Sequence, residues 1–277
     1  MKKTLMSPVI QGVAVLAVLA AVPTAQAGTN SDSISIHFGA DEPTEVNGSM
    51  LAPSDVAGVI ESAHWNNTTG NTGTVPGLME DKNGVATAST AQVFWQATNT
   101  WASTGKGEEG NNFTGANKTL MTGYLDMNTR YPSFIYIQVS NLPASFSGTY
   151  DLYIYGMGSY PGKGGEYTVI GAKPSIQWIV GGGLDDPTKP GPGGSPPFQG
   201  QFSGPDFVQA LGTDSMFGAN GNTDDFGNYL VFPGLSGPTV TIIAINLPMP
   251  GEAAGNILPG YHPNPRAPIN GIQLVVD

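Results

Sequence analysis

The chain contains no cysteine, only two arginines and three histidines, and only 11% of its 277 residues are charged. Without cysteine there can be no disulfide framework, no thiolate nucleophile and no zinc site built on sulfur, so stability has to come from a buried core or from bound ions. A formal net charge of −11, with so few basic residues, disfavours nucleic acid and anionic membranes as electrostatic partners. After the first 27 residues there is no apolar run near the roughly 20 residues that a membrane helix needs. Long helices are also disfavoured, because 39 glycines and 23 prolines call for frequent turns.

The amino terminus reads as an export signal. Lys2 and Lys3 precede an apolar stretch from Val9 to Val22, and Ala25-Gln26-Ala27 has the small-x-small pattern of a cleavage site. Cleavage near Ala27 would leave residues 28–277, with 8 basic against 21 acidic residues, as a secreted or periplasmic protein without a membrane anchor.

The remaining 250 residues read as all-β. Runs rich in β-branched and aromatic residues recur between turn signals: Ser33 to Phe38, Ala91 to Ala97, Ser133 to Val139, Tyr150 to Tyr155, Glu166 to Ile170, Ser175 to Val180, Asn228 to Phe232, Thr239 to Ile245 and Gly271 to Val276. Nine or more strands suit a sandwich of two sheets. Thr239 to Ile245 is partly apolar on both parities, which predicts a central strand covered on both sides. Asp55 to Ser62 is the one short helix candidate, with a loop as the alternative. The Gly/Pro-rich stretch 181–200 reads as an insertion loop in a single domain spanning 28–277, because the strands after it are too few for a second sandwich.

Several segments carry a resemblance. IHFGA, LAPSDVAGVI and AHWNN between Ile34 and Asn67, LMTGYLD at Leu120 to Asp126, YDLYIYG at Tyr150 to Gly156, GNYLVFPGL ending at Leu235 and RAPINGIQLV from Arg266 resemble a family of exported proteins of planctomycetes and verrucomicrobia. More distantly, the opening and closing strands are similar to malectin-like and galactose-binding-like jelly rolls. That resemblance implies a jelly-roll sandwich whose first and last strands pair and whose loops at one end bind sugars. It carries no catalytic residues over.

Candidate chemistry follows from residue types. Sugar recognition needs flat aromatic faces beside amides, and Trp65, Asn66, Asn67, Trp101, Tyr155 and Tyr160 supply both; packing is the competing reading for the tryptophans. Calcium needs several hard oxygens, and Asn220, Asn222, Asp224 and Asp225 form the best cluster, with a solvated polar loop as the alternative. His64 beside Trp65 is the best placed of the three histidines for a base, while His37 reads as a structural residue inside the first strand. No G-x-S-x-G nucleophile elbow is present. Asp126, Asp151 and Glu166 are the acids least explained by loops. The reading that results is an extracellular binding or surface-associated module for a glycan or matrix component. The alternative is a polysaccharide-active hydrolase or lyase that uses carboxylates.

Overall fold

A computed structural model describes residues 31–42, 49–103, 111–127, 133–158, 164–179, 204–211, 227–246 and 266–277. The expected export signal, the expected insertion loop at 181–200, Tyr160 and the expected calcium ligands Asn220, Asn222, Asp224 and Asp225 lie outside these residues.

The protein is an all-β sandwich. In chain order its strands are β1 (Ser33–His37), β2 (Asn66–Asn67), β3 (Thr72–Pro76), β4 (Met79–Lys82), β5 (Val85–Ala88), β6 (Gln92–Gln96), β7 (Asn99–Ala102), β8 (Gly123–Asp126), β9 (Phe134–Ser140), β10 (Thr149–Tyr155), β11 (Gly165–Val169), β12 (Ile176–Ile179), β13 (Tyr229–Ser236), β14 (Thr239–Ile245) and β15 (Gly271–Val276). The first sheet runs β13-β10-β15-β1-β4-β5, with β2 added in parallel beside β1. The second runs β12-β11-β14-β9-β6-β3, and β7 and β8 form a separate hairpin pair. Each of the nine expected strands is present. β1 and β15 pair antiparallel, Ser33 opposite Val275 through His37 opposite Gly271.

Alternation builds the core. Ile34, Ile36, Leu152, Ile154, Ile272 and Leu274 face inward from the first sheet, and Val93, Trp95, Ile135, Ile137, Val139, Val240 and Ile242 face them from the second. Successive side chains point to opposite faces of a strand, so the intervening residues point outward. Gly73 lets the Trp95 ring lie against β3, since a Cβ there would come within 2.5 Å of that ring. Strands that follow residue 203 are woven into sheets begun earlier: β14 lies between β11 and β9, and β13 and β15 flank β10. At one side the two sheets approach each other, and Gln177 Nε2 on β12 donates to the Val231 carbonyl on β13.

One local expectation is corrected. Asp55 to Ser62 is not helical but a tight turn closed by an Ala57–Ser62 bridge, and the Asp55 carboxylate accepts the Ala52 amide. The helix described is α1 (Gly115–Leu120). It contributes Leu120 to a second apolar cluster with Leu51, Ala57, Trp65, Phe113, Met121, Tyr155 and Met157. That cluster lies on the outer face of the first sheet, so segment 49–65, α1 and segment 204–210 form a third layer, a cover over that face.

Candidate functional site

Four of the sequence-predicted ligand residues converge, but beneath this cover. Strand registers place Tyr229, Tyr155, Gly271, His37 and Asn67 in one row across β13, β10, β15, β1 and β2. Glycine leaves a notch in the middle of that row, and Trp65 and Leu120 occupy it. A Cβ on Gly271 would lie 2.9 Å from Leu120 Cδ1 and 3.2 Å from Trp65 Cζ3. The Trp65 ring meets Tyr155 edge to face at 6.0 Å, and its indole N–H donates to the Ser62 carbonyl.

Every polar group of this quartet is engaged within the fold. Asn66 Nδ2 donates to the Ser35 and Met79 carbonyls, and its Oδ1 accepts the Met79 amide, bridging β1 and β4. Asn67 holds Leu51 through both backbone groups: Oδ1 accepts the amide and Nδ2 donates to the carbonyl. The Tyr155 hydroxyl accepts from the Val59 amide and donates to Gln273 Oε1, and Gln273 Nε2 donates to the Ile60 carbonyl. Burial pushes the Tyr155 phenol far above its ordinary pKa. Trp65 is 5% exposed and Tyr155 wholly buried, so neither presents a ring face to solvent. The expectation that Trp65 and Tyr155 stack on a sugar is therefore corrected, since both rings are packed between cover and sheet, while Asn67 ties Leu51 of the cover to β2 and Asn66 ties β1 to β4. Trp101 lies apart from them, half-buried on β7 opposite Tyr124.

The outer face of the second sheet is built differently. One row carries Thr72, Gln96, Tyr136, Ile243, Thr168 and Ile176; the next carries Thr74, Phe94, Gln138 and Thr241; a third carries Phe134, Ile245, Glu166 and Trp178. Phe94 and Phe134 are 39% and 53% exposed, and Phe94 lies 6.0 Å from Tyr136 between ring centroids. Gln138 Nε2 donates to the Tyr136 hydroxyl. Ile176 is exposed on the same face, and Ile170 is exposed just beyond β11. Glu166 is the one ionisable carboxylate among these described residues; desolvation raises its pKa, and a hydrogen bond from Thr168 works against the rise. Exposed apolar side chains that adjoin one another on one sheet face mark an interaction surface more often than scattered ones do.

The expected strand periodicity held the signal for this surface. FIYI in β9 and VFW in β6 are apolar on both parities. Such runs predict a strand covered on both sides, whereas the second side here is open over Phe94 and Phe134.

Asp126, at the end of β8, accepts from Arg266 Nη1 at 2.8 Å. Asp151 points outward from β10 on the first sheet, where it accepts the Gly234 amide; desolvation raises its pKa, with the neighbouring Asp277 adding to the rise. Glu166 points outward from the second sheet, on the opposite side of a sandwich whose sheets lie about 10 Å apart. Asp151 and Glu166, on opposite outer faces, cannot flank one glycosidic bond. Among the described residues no group of three or more His, Asp or Glu is placed to hold a metal, and no helix is long and apolar enough to cross a membrane. His64 has a positive φ of 56°, and its Nε2 lies 3.2 Å from the Gly84 carbonyl, so the ring braces the β4–β5 turn.

Among the described residues the geometry defines an all-β sandwich with a third layer over one outer face and exposed aromatic side chains on the other. Compared with known proteins, the chain matches no family model, no curated protein and no solved structure.

Proposed function

We propose that the protein is an extracellular binding module of jelly-roll type, and that its ligand is an uncharged glycan docking on the open face of the second sheet. The observation that carries this reading is the composition of that face: Phe94, Phe134 and Tyr136 lie among Gln96, Gln138, Thr72, Thr74 and Thr241, with Glu166 as the single charge. Aromatic rings stack against the C–H faces of sugars. Neutral amides and hydroxyls donate to and accept from sugar hydroxyls without the desolvation cost of a full charge. The export signal at residues 1–27 supports the compartment in which such ligands occur.

The test is depletion of the purified protein from solution by a panel of neutral and acidic polysaccharides. Depletion by a neutral polymer, lost in Phe94→Ala and Tyr136→Ala but retained in Trp101→Ala, is the expected result. Binding that survives both changes on the open face, or is confined to acidic polymers, would overturn the assignment.

A further inference from the structure

The buried polar row under the cover contains one group with no way to accept a proton and remain satisfied. His37 is wholly buried, and its Nδ1 lies 3.2 Å from Asn67 Oδ1. That oxygen is an acceptor fixed by the Leu51 amide, while Asn67 Nδ2 is committed to the Leu51 carbonyl. The histidine must therefore donate from Nδ1, which makes Nε2 the bare nitrogen of a neutral ring. Nε2 is buried without a hydrogen-bond partner, and so is Ser35 Oγ one row away on the same strand face. A proton added at Nε2 would create a buried cation whose new N–H has no acceptor.

The consequence falls on the cover and not on the core. His37 reaches the cover through Asn67 of β2, whose amide holds both backbone groups of Leu51. Its neighbour across the sheet is Gly271, whose notch seats Trp65 and Leu120. The main core lies on the other side of β1, where Ile34 and Ile36 point. We propose that segment 49–65 is an acid-released cover, and that His37 is the group whose protonation detaches it from the first sheet while the two-sheet core stays folded.

The other ionisable groups around the cover are placed differently from His37. In its own row Tyr155 and Tyr229 titrate above their ordinary values because of burial, so they stay neutral throughout the acid range. Asp81 lies at the far end of β1, opposite Ser33, bound by Ser62 Oγ and the Ala63 and Gly84 amides. In the covering elements Glu61 and Lys118 are exposed and Asp55 and His64 are partly so. Burial lowers the His37 pKa from 6.5 to about 4, and its bond to Asn67 opposes the shift. Released, the ring returns to its ordinary value. The released form thus gains on the covered one by about tenfold per pH unit as pH falls from 6.5 toward 4. This inference does not depend on what binds the open face.

The experiment is amide hydrogen exchange on the full chain between pH 7 and pH 4, expressed as protection factors, for the wild type and His37→Asn. Asparagine keeps a donor toward Asn67 but does not titrate. Protection at Leu51, Gly58 and Val59 is expected to fall about tenfold per pH unit in the wild type, to hold steady in the variant, and to remain unchanged at Ile137 and Ile242 in both. Simultaneous loss at cover and core, retention of cover protection to pH 4, or the same fall in the variant would overturn the proposal. Should His37→Asn fail to fold, the ring titration of His37 followed by NMR in the wild type decides. Protonation coincident with loss of protection at Leu51 supports the device, and protonation with protection intact sinks it.

Discussion

The two outer faces of the sandwich reverse the usual expectation of what is covered and what is open. Ser33, Ser35, His37 and Gln273 make the first sheet's outer face polar, yet it is buried under a third layer. Phe94, Phe134, Ile243 and Ile245 make the second sheet's outer face apolar, yet it carries exposed aromatic rings. A polar face can be buried when the cover returns a hydrogen bond for nearly every group it desolvates, as Asn67, Tyr155 and Gln273 do here. Among the described residues no comparable layer meets the apolar second face, and that asymmetry is why it is assigned to a ligand.

The comparison is broken most directly by truncating one aromatic on each face. Trp65→Ala should cost about 3–5 kcal/mol in chemical denaturation, since it empties the Gly271 notch and frees the Tyr155 ring edge. Phe134→Ala, half exposed on the open face, should cost less than about 1 kcal/mol. Equal losses would mean the open face is a core in its own right.

Acid comes next. The His37 pKa is depressed in the fold, so its contribution to stability is fully present above pH 6.5 and is lost as pH falls through about 4. Between those values the loss should reach about 3 kcal/mol, read as a falling denaturation midpoint in the wild type that is absent in His37→Asn. A midpoint independent of pH over that window would show that the ring is not held neutral.

Tyr155→Phe should cost about 1–3 kcal/mol, because it strands the Val59 amide and Gln273 Oε1 without removing the ring. On the open face, Phe94→Ala or Tyr136→Ala should weaken glycan binding by about tenfold or more while leaving the thermal midpoint nearly unchanged. The smallest effect is expected from Ser35→Ala. Its hydroxyl is buried with no partner, so removing it should be neutral or stabilising by up to about 1 kcal/mol; a clear destabilisation would reveal a partner for that oxygen.

Much of the architecture was legible. The long apolar strands β1, β6, β9, β10, β14 and β15 were all read from period and residue type, and the first of them pairs with the last. Six elements were not read: β2, β3, β4, β5, β7 and β8. They are short, and their sequences run against strand propensity. β4 is MEDK, whose Glu80 and Asp81 are buried because Ser145, Ser62 and backbone amides are brought to them from elsewhere. β3 ends at a proline, tolerated because it is an edge strand. Helix α1 escaped notice because it is a single amphipathic turn and a half, anchored by Leu120 and not by propensity.

The site was legible in residue type but not in place. Trp65, Asn66, Asn67 and Tyr155 were recognised as groups with unusual recognition capacity, and they do gather in space; what they recognise is the chain itself. Asn67 and His37 are 30 residues apart, and Tyr155 and Gln273 are 118 apart. No local pattern encodes such partnerships.

By itself the sequence determined the all-β class, the alternation that fills the core and the absence of any thiol or disulfide chemistry, because these depend on composition and on a period of two. Only the tertiary structure decided which face of each sheet is shut. Exposure of an outward side chain depends on whether a distant segment folds back over it, and here the notch at Gly271 and the amide of Asn67 bring that segment down on one face alone.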